Sequence, residues 1–161
     1  METIDELTAF LAAATVDGIL ASFNLAGEKL DEAHVSKAVS GVLARRRLDA
    51  SFFAAQPRIG RGESRPRWEL VLELRELPTR ELAEALRSEL DSELGKVNED
   101  YADERRLNLD PLALRVVSPG EHARDRARRI GEGAPEAQLK VVHLAPDEDA
   151  HRHLREAFVV E

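Results

Sequence analysis

The sequence predicts an α+β fold, a two-layer sandwich in which a mixed, mostly antiparallel sheet carries helices packed on one face, with a further helix at the N-terminus. Strand-like and helical segments follow one another in the order strand, helix, two strands, helix, strand. Residues 68–74 alternate apolar and polar side chains, which predicts a strand with one covered face. Leucines recur at spacings of four through residues 82–94, which predicts a long amphipathic helix.

Composition sets the class of protein. The 161 residues are 43% hydrophobic, which is enough to bury a core in one domain. There is no cysteine, so disulfides, thiolate metal sites and a cysteine nucleophile are excluded.

A net charge of −8 disfavours general nucleic-acid binding through phosphate neutralisation. The N-terminus lacks the basic start of a signal peptide and no apolar run reaches the ~20 residues of a membrane span, so we expect a cytoplasmic protein without membrane contact.

The first part of the chain predicts two units. Residues 3–13 place apolar side chains on one helical stripe, and Gly18 follows as a break. We therefore expect an N-terminal helical extension over residues 1–17 and a single α+β domain over residues 18–161, the latter opening with a strand over residues 19–25.

The next helix has clear boundaries. Asp31 is a suitable N-cap, and the helix after it should bury one side, formed by Val35, Ala38, Val39, Val42 and Leu43. Arg45, Arg46 and Arg47 should close it, because positive charge suits the C-terminal end of a helix dipole. We favour that capping role over a ligand site.

An antiparallel pair of strands should follow. Residues 50–57 form the first strand and residues 68–74 the second, joined through a loop at residues 58–65. The alternation predicts that the face bearing Glu69 and Glu73 is wet.

The second half continues the pattern. Thr79 should cap a helix that runs to Val97, and a strand over residues 112–117 should end at Ser118-Pro119-Gly120. The remaining predicted elements are a short helix over residues 121–129, a short strand over residues 138–144 and a closing helix over residues 147–158.

The segment Gly27-Glu28-Lys29 invites comparison with a phosphate-binding loop, because an unhindered backbone before a helix can present N–H groups to an anion. A single glycine lacks the spacing of a nucleotide-binding fingerprint, and Glu28 would repel phosphate. We favour a structural turn that serves as a packing and docking corner.

Two clusters of charged or metal-ligating side chains leave alternatives open. Arg124 and Arg128 belong to a basic cluster with Arg126, Arg129 and His122, which could receive an acidic partner or could be a solvated helix face with local ion pairs. His151 and His153 are two residues apart, which would put them on different sides of a helix, so we predict no metal site.

Several segments in order resemble the C-terminal domain of the auxin-responsive acyl acid amido synthetases. The segments are Asn24-Leu25-Ala26-Gly27-Glu28-Lys29-Leu30, Pro66-Arg67-Trp68-Glu69-Leu70, Asn98 with Tyr101 and Arg105 as in "LNxxYxxxR", Val116-Val117-Ser118-Pro119-Gly120 as in "V-P-G", and Ala137-Gln138-Leu139-Lys140-Val141 as in "GQxKVP". The resemblance spans about residues 18–145 and covers only the small domain of such enzymes.

The resemblance implies a role in acyl activation. Enzymes of this family adenylate a carboxylic acid with ATP and magnesium and then pass the acyl group to an amine, while the small domain moves between the two half-reactions. Lys140 matches a position close to the adenylate, so it is the candidate catalytic residue. Gly27, Glu28, Lys29, Gln138, Arg124 and Arg128 are our candidates for partner or ligand contacts. We expect no cofactor on this chain alone, and ATP and magnesium only through a partner large domain.

The chain also departs from the family pattern. The hinge motif with its arginine should fall at residues 17–20, but the chain has Asp17-Gly18-Ile19-Leu20. In the closing motif the family glycine is Ala137, and the residues after Val141 are Val142 and His143.

These observations give competing functional hypotheses. The leading one is a detached small domain or accessory subunit of an acyl-adenylating, amide-forming ligase. Such a chain would be inactive without a separate adenylating large subunit. Its expected partner is that large subunit or an acidic carrier protein. The alternative is a non-catalytic binding or assembly module, for example a homodimer, that keeps the fold without the chemistry. An independent small-molecule enzyme would need an enclosed pocket.

Overall fold

The computed structural model describes residues 22–23, 25–60 and 62–161. The predicted extension at residues 1–17 and its helix lie outside these residues. The described part contains four helices, a four-stranded mixed sheet and a short two-stranded pair. The elements are β1 (Ser22–Phe23), β2 (Leu30–Asp31), α1 (Glu32–Arg46), β3 (Ala50–Arg58), β4 (Arg67–Leu74), α2 (Arg80–Val97), α3 (Glu99–Leu107), β5 (Ala113–Val117), α4 (Glu121–Gly131), a 3-10 turn (Glu136–Leu139) and β6 (Glu156–Val160).

The main sheet confirms the predicted mixed, mostly antiparallel arrangement. Its strand order is β3-β4-β5-β6. β3 and β4 are antiparallel and place Phe53 opposite Leu72, as the predicted hairpin requires. β4 and β5 are parallel, because α2 and α3 return the chain to the same end of the sheet, and β6 then pairs antiparallel with β5. The predicted strand at residues 19–25 is described only as β1, which pairs with β2.

Helices α1 and α2 cover one face of the sheet and build the main core. Asp31 caps α1 by accepting a hydrogen bond from the N–H of His34 at 2.8 Å. The side of α1 that is buried is the one predicted from the sequence. It packs with α2 leucines and with Trp68, Leu70 and Leu72 of β4 in one hydrophobic cluster. The apolar sides predicted for α1, α2 and β4 therefore pack together in one core, as expected.

The arginines that end α1 also join it to α2. Arg47 takes a left-handed conformation with φ 55°, which terminates the helix as predicted. Arg45 Nη2 lies 3.1 Å from Glu93 Oε2, and Arg46 forms an ion pair with Glu89. Two of the three arginines thus make specific inter-helix contacts in addition to the end-cap role.

The opposite face of the sheet is not wet, so the prediction for Glu69 and Glu73 is wrong. These side chains belong to residues that are only 5% and 1% exposed. Glu73 Oε1 accepts a hydrogen bond from the N–H of His122 at 2.9 Å, and Glu69 Oε1 accepts one from Gln56 Nε2 at 2.8 Å. The start of α4 and the segment before β6 cover this face, so each carboxylate is buried beside a donor.

Two predictions for the end of the chain are also wrong. The expected strand at residues 138–144 begins within the 3-10 turn, and beyond it only Leu144 pairs with the sheet, as an isolated bridge to Ala55. The expected helix at residues 147–158 is a series of turns followed by β6. Pairing with β5 places Val159 opposite Arg115 and Val160 opposite Leu114, and this sheet pairing overrides the local helical pattern.

Candidate functional site

The Gly27-Glu28-Lys29 segment is held to the core by a buried carboxylate. Glu28 has no exposed surface. Its oxygens accept hydrogen bonds from the N–H groups of Leu25 at 2.7 Å and Ala26 at 3.0 Å, and from Trp68 Nε1 at 2.9 Å. Glu28 therefore fixes the turn that precedes α1 against the sheet, as the expected packing corner requires.

A second set of family-like residues braces the same corner. Asn98 lies between α2 and α3, donates from Nδ2 to the carbonyl oxygen of Lys29 at 2.6 Å, and accepts from the N–H of Tyr101 at 3.0 Å. The Tyr101 hydroxyl donates to Asp91 Oδ1 at 2.6 Å, and burial raises the pKa of that hydroxyl well above its ordinary value. Arg105 Nη2 donates to Asp91 Oδ2 at 2.8 Å. Asn98 therefore positions the corner, while Tyr101 and Arg105 hold α3 to α2 through Asp91.

The corner does not fit a phosphate group in its present form. Two of its N–H groups, those of Leu25 and Ala26, already donate to Glu28, and the buried carboxylate beside them would repel an anion. Gly27 has φ 132°, and a Cβ at this position would lie 2.9 Å from Glu104 Oε1, so its glycine is explained by backbone geometry and close packing. The Lys29 side chain is exposed. Nucleotide binding by this segment alone is therefore not supported.

Lys140 lies beside a cavity on the face of the sheet that is opposite α1 and α2. It follows the 3-10 turn, its side chain is exposed, and no described residue forms an ion pair with it. The cavity has a volume of about 310 Å³ and is also lined by Phe52, His122 and His151. The side chain of Gln138 lies outside what the structure describes. Lys140 is thus an accessible, unpaired cation at the rim of a small pocket.

Aromatic rings and neutral imidazoles form part of this pocket. The Phe52 and His122 rings are stacked with centroids 4.4 Å apart, and His151 meets Phe52 edge-on at 5.2 Å. Burial lowers the pKa of His122, and burial followed by the charge of His153 lowers the pKa of His151 to about 4. Both rings are therefore neutral near pH 7. The sequence placed His122 in the basic cluster and His151 beside His153, but it did not predict this pocket, because Phe52 and His122 meet only through the tertiary fold.

A hydrogen bond connects the start of α1, next to the corner, to the segment after Lys140. Glu32 Oε1, at the start of α1, accepts from the N–H of His143 at 2.8 Å. The His143 ring stacks on Phe53 with centroids 3.9 Å apart, and its Nδ1 lies 2.7 Å from the Phe53 carbonyl oxygen. The segment after Lys140 is therefore fixed to both α1 and β3. His143 is one of the departures from the closing motif, and here it has a structural role.

The basic cluster is largely paired within its own helix. Arg124 Nη2 lies 3.0 Å from Glu121 Oε2. Arg128 forms ion pairs with Asp125 at 2.8 Å and Glu132 at 3.0 Å, and these hydrogen bonds raise its pKa. The pairing agrees with the alternative of a solvated helix face. Binding of an acidic partner through Arg124 and Arg128 stays a prediction.

The described residues contain neither a metal-binding cluster nor a membrane-spanning helix. Within residues 22–23, 25–60 and 62–161, no group of three or more His, Cys, Asp or Glu side chains is placed to hold a metal ion. His151 and His153 lie in turns, with ring centroids 6.3 Å apart. In the same part of the chain, no helix is long and apolar enough to cross a bilayer.

Comparison with known proteins identifies the family. Residues 32–149 match the family model described as the GH3 family C-terminal domain. The chain belongs to this family. The match includes Asn98, Tyr101, Arg105 and Lys140, so the resemblance inferred from those motifs is confirmed, whereas Gly27-Glu28-Lys29 precedes the matched range. No curated protein matches the chain.

Solved structures share the fold of this GH3 C-terminal domain. A structure described as "GH3.15 acyl acid amido synthetase" superposes with a TM-score of 0.66 at 21% identity, covering 86% of this chain and 25% of that one. Another, described as "AtGH3.15 acyl acid amido synthetase in complex with 2,4-DB", gives 0.66 at 20% identity, with 86% and 26% covered. The chain thus spans about a quarter of the length of these similar proteins.

Proposed function

We propose that this GH3 C-terminal domain is a detached small domain or accessory subunit of an ATP-dependent acyl-adenylating, amide-forming ligase that acts in the cytoplasm. A separate large subunit supplies the ATP and magnesium site. The observation behind the proposal is the family match over residues 32–149, which contains an exposed Lys140 that forms no ion pair with a described residue. Without its partner the chain is inactive.

The proposed chemistry has two half-reactions. A substrate carboxylate oxygen attacks the α-phosphorus of ATP and pyrophosphate leaves; an amine then attacks the acyl carbonyl carbon and AMP leaves. Lys140 is suited to assist because an ammonium group on a flexible four-carbon stem can approach negative charge that develops in a water-poor interface. The carboxylate of Glu28 would repel phosphate and already accepts two backbone N–H groups, so the proposed part of the corner at residues 25–31 is to form a fixed docking surface before α1.

The test is ATP–pyrophosphate exchange by the tagged chain purified with its large subunit, using wild-type protein, Lys140→Ala and Lys37→Ala. Lys37 is an exposed lysine on α1 and serves as the matched control. We expect exchange to fall at least about 100-fold with Lys140→Ala, as for loss of one transition-state contact, and to stay within about twofold with Lys37→Ala. Equal exchange by all three proteins would remove Lys140 from the reaction.

The alternative function is a non-catalytic assembly module, for example a homodimer. It is favoured by one observation: Glu28, Asn98, Tyr101 and Arg105 all make hydrogen bonds that maintain the fold, so these motif residues can persist without chemistry. Light scattering of the purified chain separates the alternatives. The assembly function would be favoured if the chain forms a stable dimer and its complexes show no nucleotide-dependent activity. A monomer that gains ATP–pyrophosphate exchange activity with a large subunit would contradict the assembly function.

A further inference from the structure

The cavity beside Lys140 has its own chemical character. It lies over the face of the sheet opposite α1 and α2, between α4, residues 139–146 and the turns at residues 150–154. Its volume of about 310 Å³ is at the lower end of the range for small-molecule pockets. A ligand of about ten non-hydrogen atoms is the size that fits.

The floor of the cavity is flat and apolar. Phe52 is 5% exposed, and its ring is stacked on His122. Leu154 and Ala145, which are 2% and 4% exposed, complete the apolar lining. Such a surface favours a planar or compact hydrocarbon body over a sugar or a peptide backbone.

One buried polar atom in this region lacks a partner. His151 lines the cavity, and its Nε2 is buried without a hydrogen bond among the described residues. Burial keeps the ring neutral, so the ring can offer either a donor or an acceptor. A buried polar atom without a partner is costly, and a polar group on a ligand could supply the missing hydrogen bond.

The rim carries more positive than negative charge. Lys140 has no ion pair with a described residue. Arg129 Nη1 lies 3.9 Å from Asp125 Oδ2, and Asp125 is also shared by Arg128 at 2.8 Å and by His153 at 3.1 Å. The excess of cations favours an anion, while the carboxylate of Asp125 disfavours a second negative charge on the ligand.

We propose that this cavity binds a small organic monoanion, with its apolar body on Phe52 and His122 and its carboxylate at Lys140 and Arg129. The site is formed entirely by this domain and does not depend on the proposed ligase function. Because Asp125 lies at the rim, the site favours a singly charged ligand over a triphosphate.

The experiment uses benzoate as the probe and nuclear magnetic resonance of the full 161-residue chain as the readout. Benzoate should displace the ring-proton resonances of His122 and His151 with a dissociation constant of about 1 mM, typical of so small a ligand. Benzyl alcohol, of similar shape without charge, and phenyl phosphate, with a second charge at pH 8, should each bind at least about fivefold more weakly.

Matched variants locate the site. Lys140→Gln and Arg129→Gln should each weaken benzoate binding by about fivefold, while Arg75→Gln, at an exposed arginine after β4 and outside the cavity, should leave it within about 1.5-fold. Ala150→Leu should fill the cavity and remove binding without touching a charge.

Several outcomes would overturn the proposal. They are no displacement of the histidine resonances at 20-fold excess over about 1 mM, equal binding of benzoate and benzyl alcohol, or equal weakening by Arg75→Gln. Tighter binding of phenyl phosphate than of benzoate would likewise refute the single-charge preference. Because the histidine signals report the cavity directly, failure here leaves the ligase proposal to its own exchange assay.

Discussion

At the scale of single residues, Glu28 is the polar side chain on which the family-like corner depends. It accepts three hydrogen bonds and has no exposed surface, so its removal leaves two backbone N–H groups and Trp68 Nε1 without a partner. We expect Glu28→Ala to lower the free energy of unfolding by about 2 to 4 kcal/mol. Urea unfolding followed by the fluorescence of Trp68, the chain's single tryptophan, measures it directly.

Two variants make that prediction specific. Glu28→Gln keeps an acceptor oxygen and should cost less, about 1 to 2 kcal/mol, because its amide group faces donors. Glu63→Ala removes an exposed carboxylate and should stay within about 0.5 kcal/mol of wild type. If Glu28→Ala and Glu63→Ala had the same stability, the buried carboxylate would not be the anchor of the corner.

His151 gives the chain a pH-dependent stability. Its pKa falls from 6.5 in the unfolded chain to about 4 in the fold, chiefly because of burial and then because of His153 and Arg115. The unfolded state therefore binds the proton first, so this stabilisation is complete above pH 6.5 and is lost as the pH falls toward 4. After allowance for the partial exposure of the ring, we expect a loss of about 1 to 2 kcal/mol over that window.

The check is the urea midpoint at several pH values for wild type and His151→Asn. His122 also contacts Phe52 and also has a lowered pKa, while Asp125 and Asp147 are nearby acids. The comparison with His151→Asn therefore isolates the part of the pH dependence that comes from His151. Wild type should lose more stability than His151→Asn between pH 6.5 and 4.5. Parallel curves would mean that His151 is not held neutral.

At the scale of elements, Asp91 joins α2 to α3 and to the start of β5. It accepts from the Tyr101 hydroxyl at 2.6 Å, from Arg105 Nη2 at 2.8 Å through its second oxygen, and from the N–H of Leu112 at 3.3 Å. Asp91→Ala would leave a partly buried guanidinium without its carboxylate, so we expect a loss of about 2 to 4 kcal/mol in the free energy of unfolding.

An exposed ion pair supplies the control for Asp91. Asp103 pairs with Arg106 on the outer side of α3, and Asp103→Ala should change stability by less than about 0.5 kcal/mol. Tyr101→Phe in the Asp91→Ala background should cost little more, because the hydroxyl has already lost its acceptor. Additive losses for these two changes would show that the tyrosine and the aspartate act independently.

The elements also show where sequence reasoning succeeded. Helix α1 was predictable because Asp31 supplies a cap and its apolar side chains keep one helical stripe. The same holds for α2, which begins after Thr79 and buries leucines against β4 and β5. In these elements local propensity and tertiary packing agree, so pattern alone is sufficient.

The misses have a common physical origin on the second face of the sheet. Glu69 and Glu73 lie at alternate positions of β4, a pattern typical of an exposed strand face. Both are nevertheless buried, because α4 supplies a backbone N–H for Glu73 and Gln56 supplies a side-chain amide for Glu69. β6 lies in a segment with helical spacing and is fixed by its register with β5. The pocket of Phe52, His122 and His151 depends on the same long-range packing, so sequence reasoning proposed Lys140 as a candidate residue but did not predict the cavity beside it.

At the scale of the whole molecule, the two faces of the sheet have different roles. The face under α1 and α2 holds the main core and the corner set by Glu28. The face under α4 holds a smaller cluster and the cavity with Lys140 at its rim. A hydrogen bond between Glu32 and His143 joins the start of α1 to the segment that follows Lys140. A partner that docks on the corner would therefore find the Lys140 segment held in a fixed position.

The central claim is that this GH3 C-terminal domain works with a separate adenylating subunit. The most direct measurement is mass spectrometry of the proteins that purify with the tagged chain from its native cells. Our account predicts recovery of an ATP-binding large subunit in a defined ratio to the chain, with ATP–pyrophosphate exchange in the purified complex. Recovery of the chain only with itself, or with proteins that carry no exchange activity, would contradict the account.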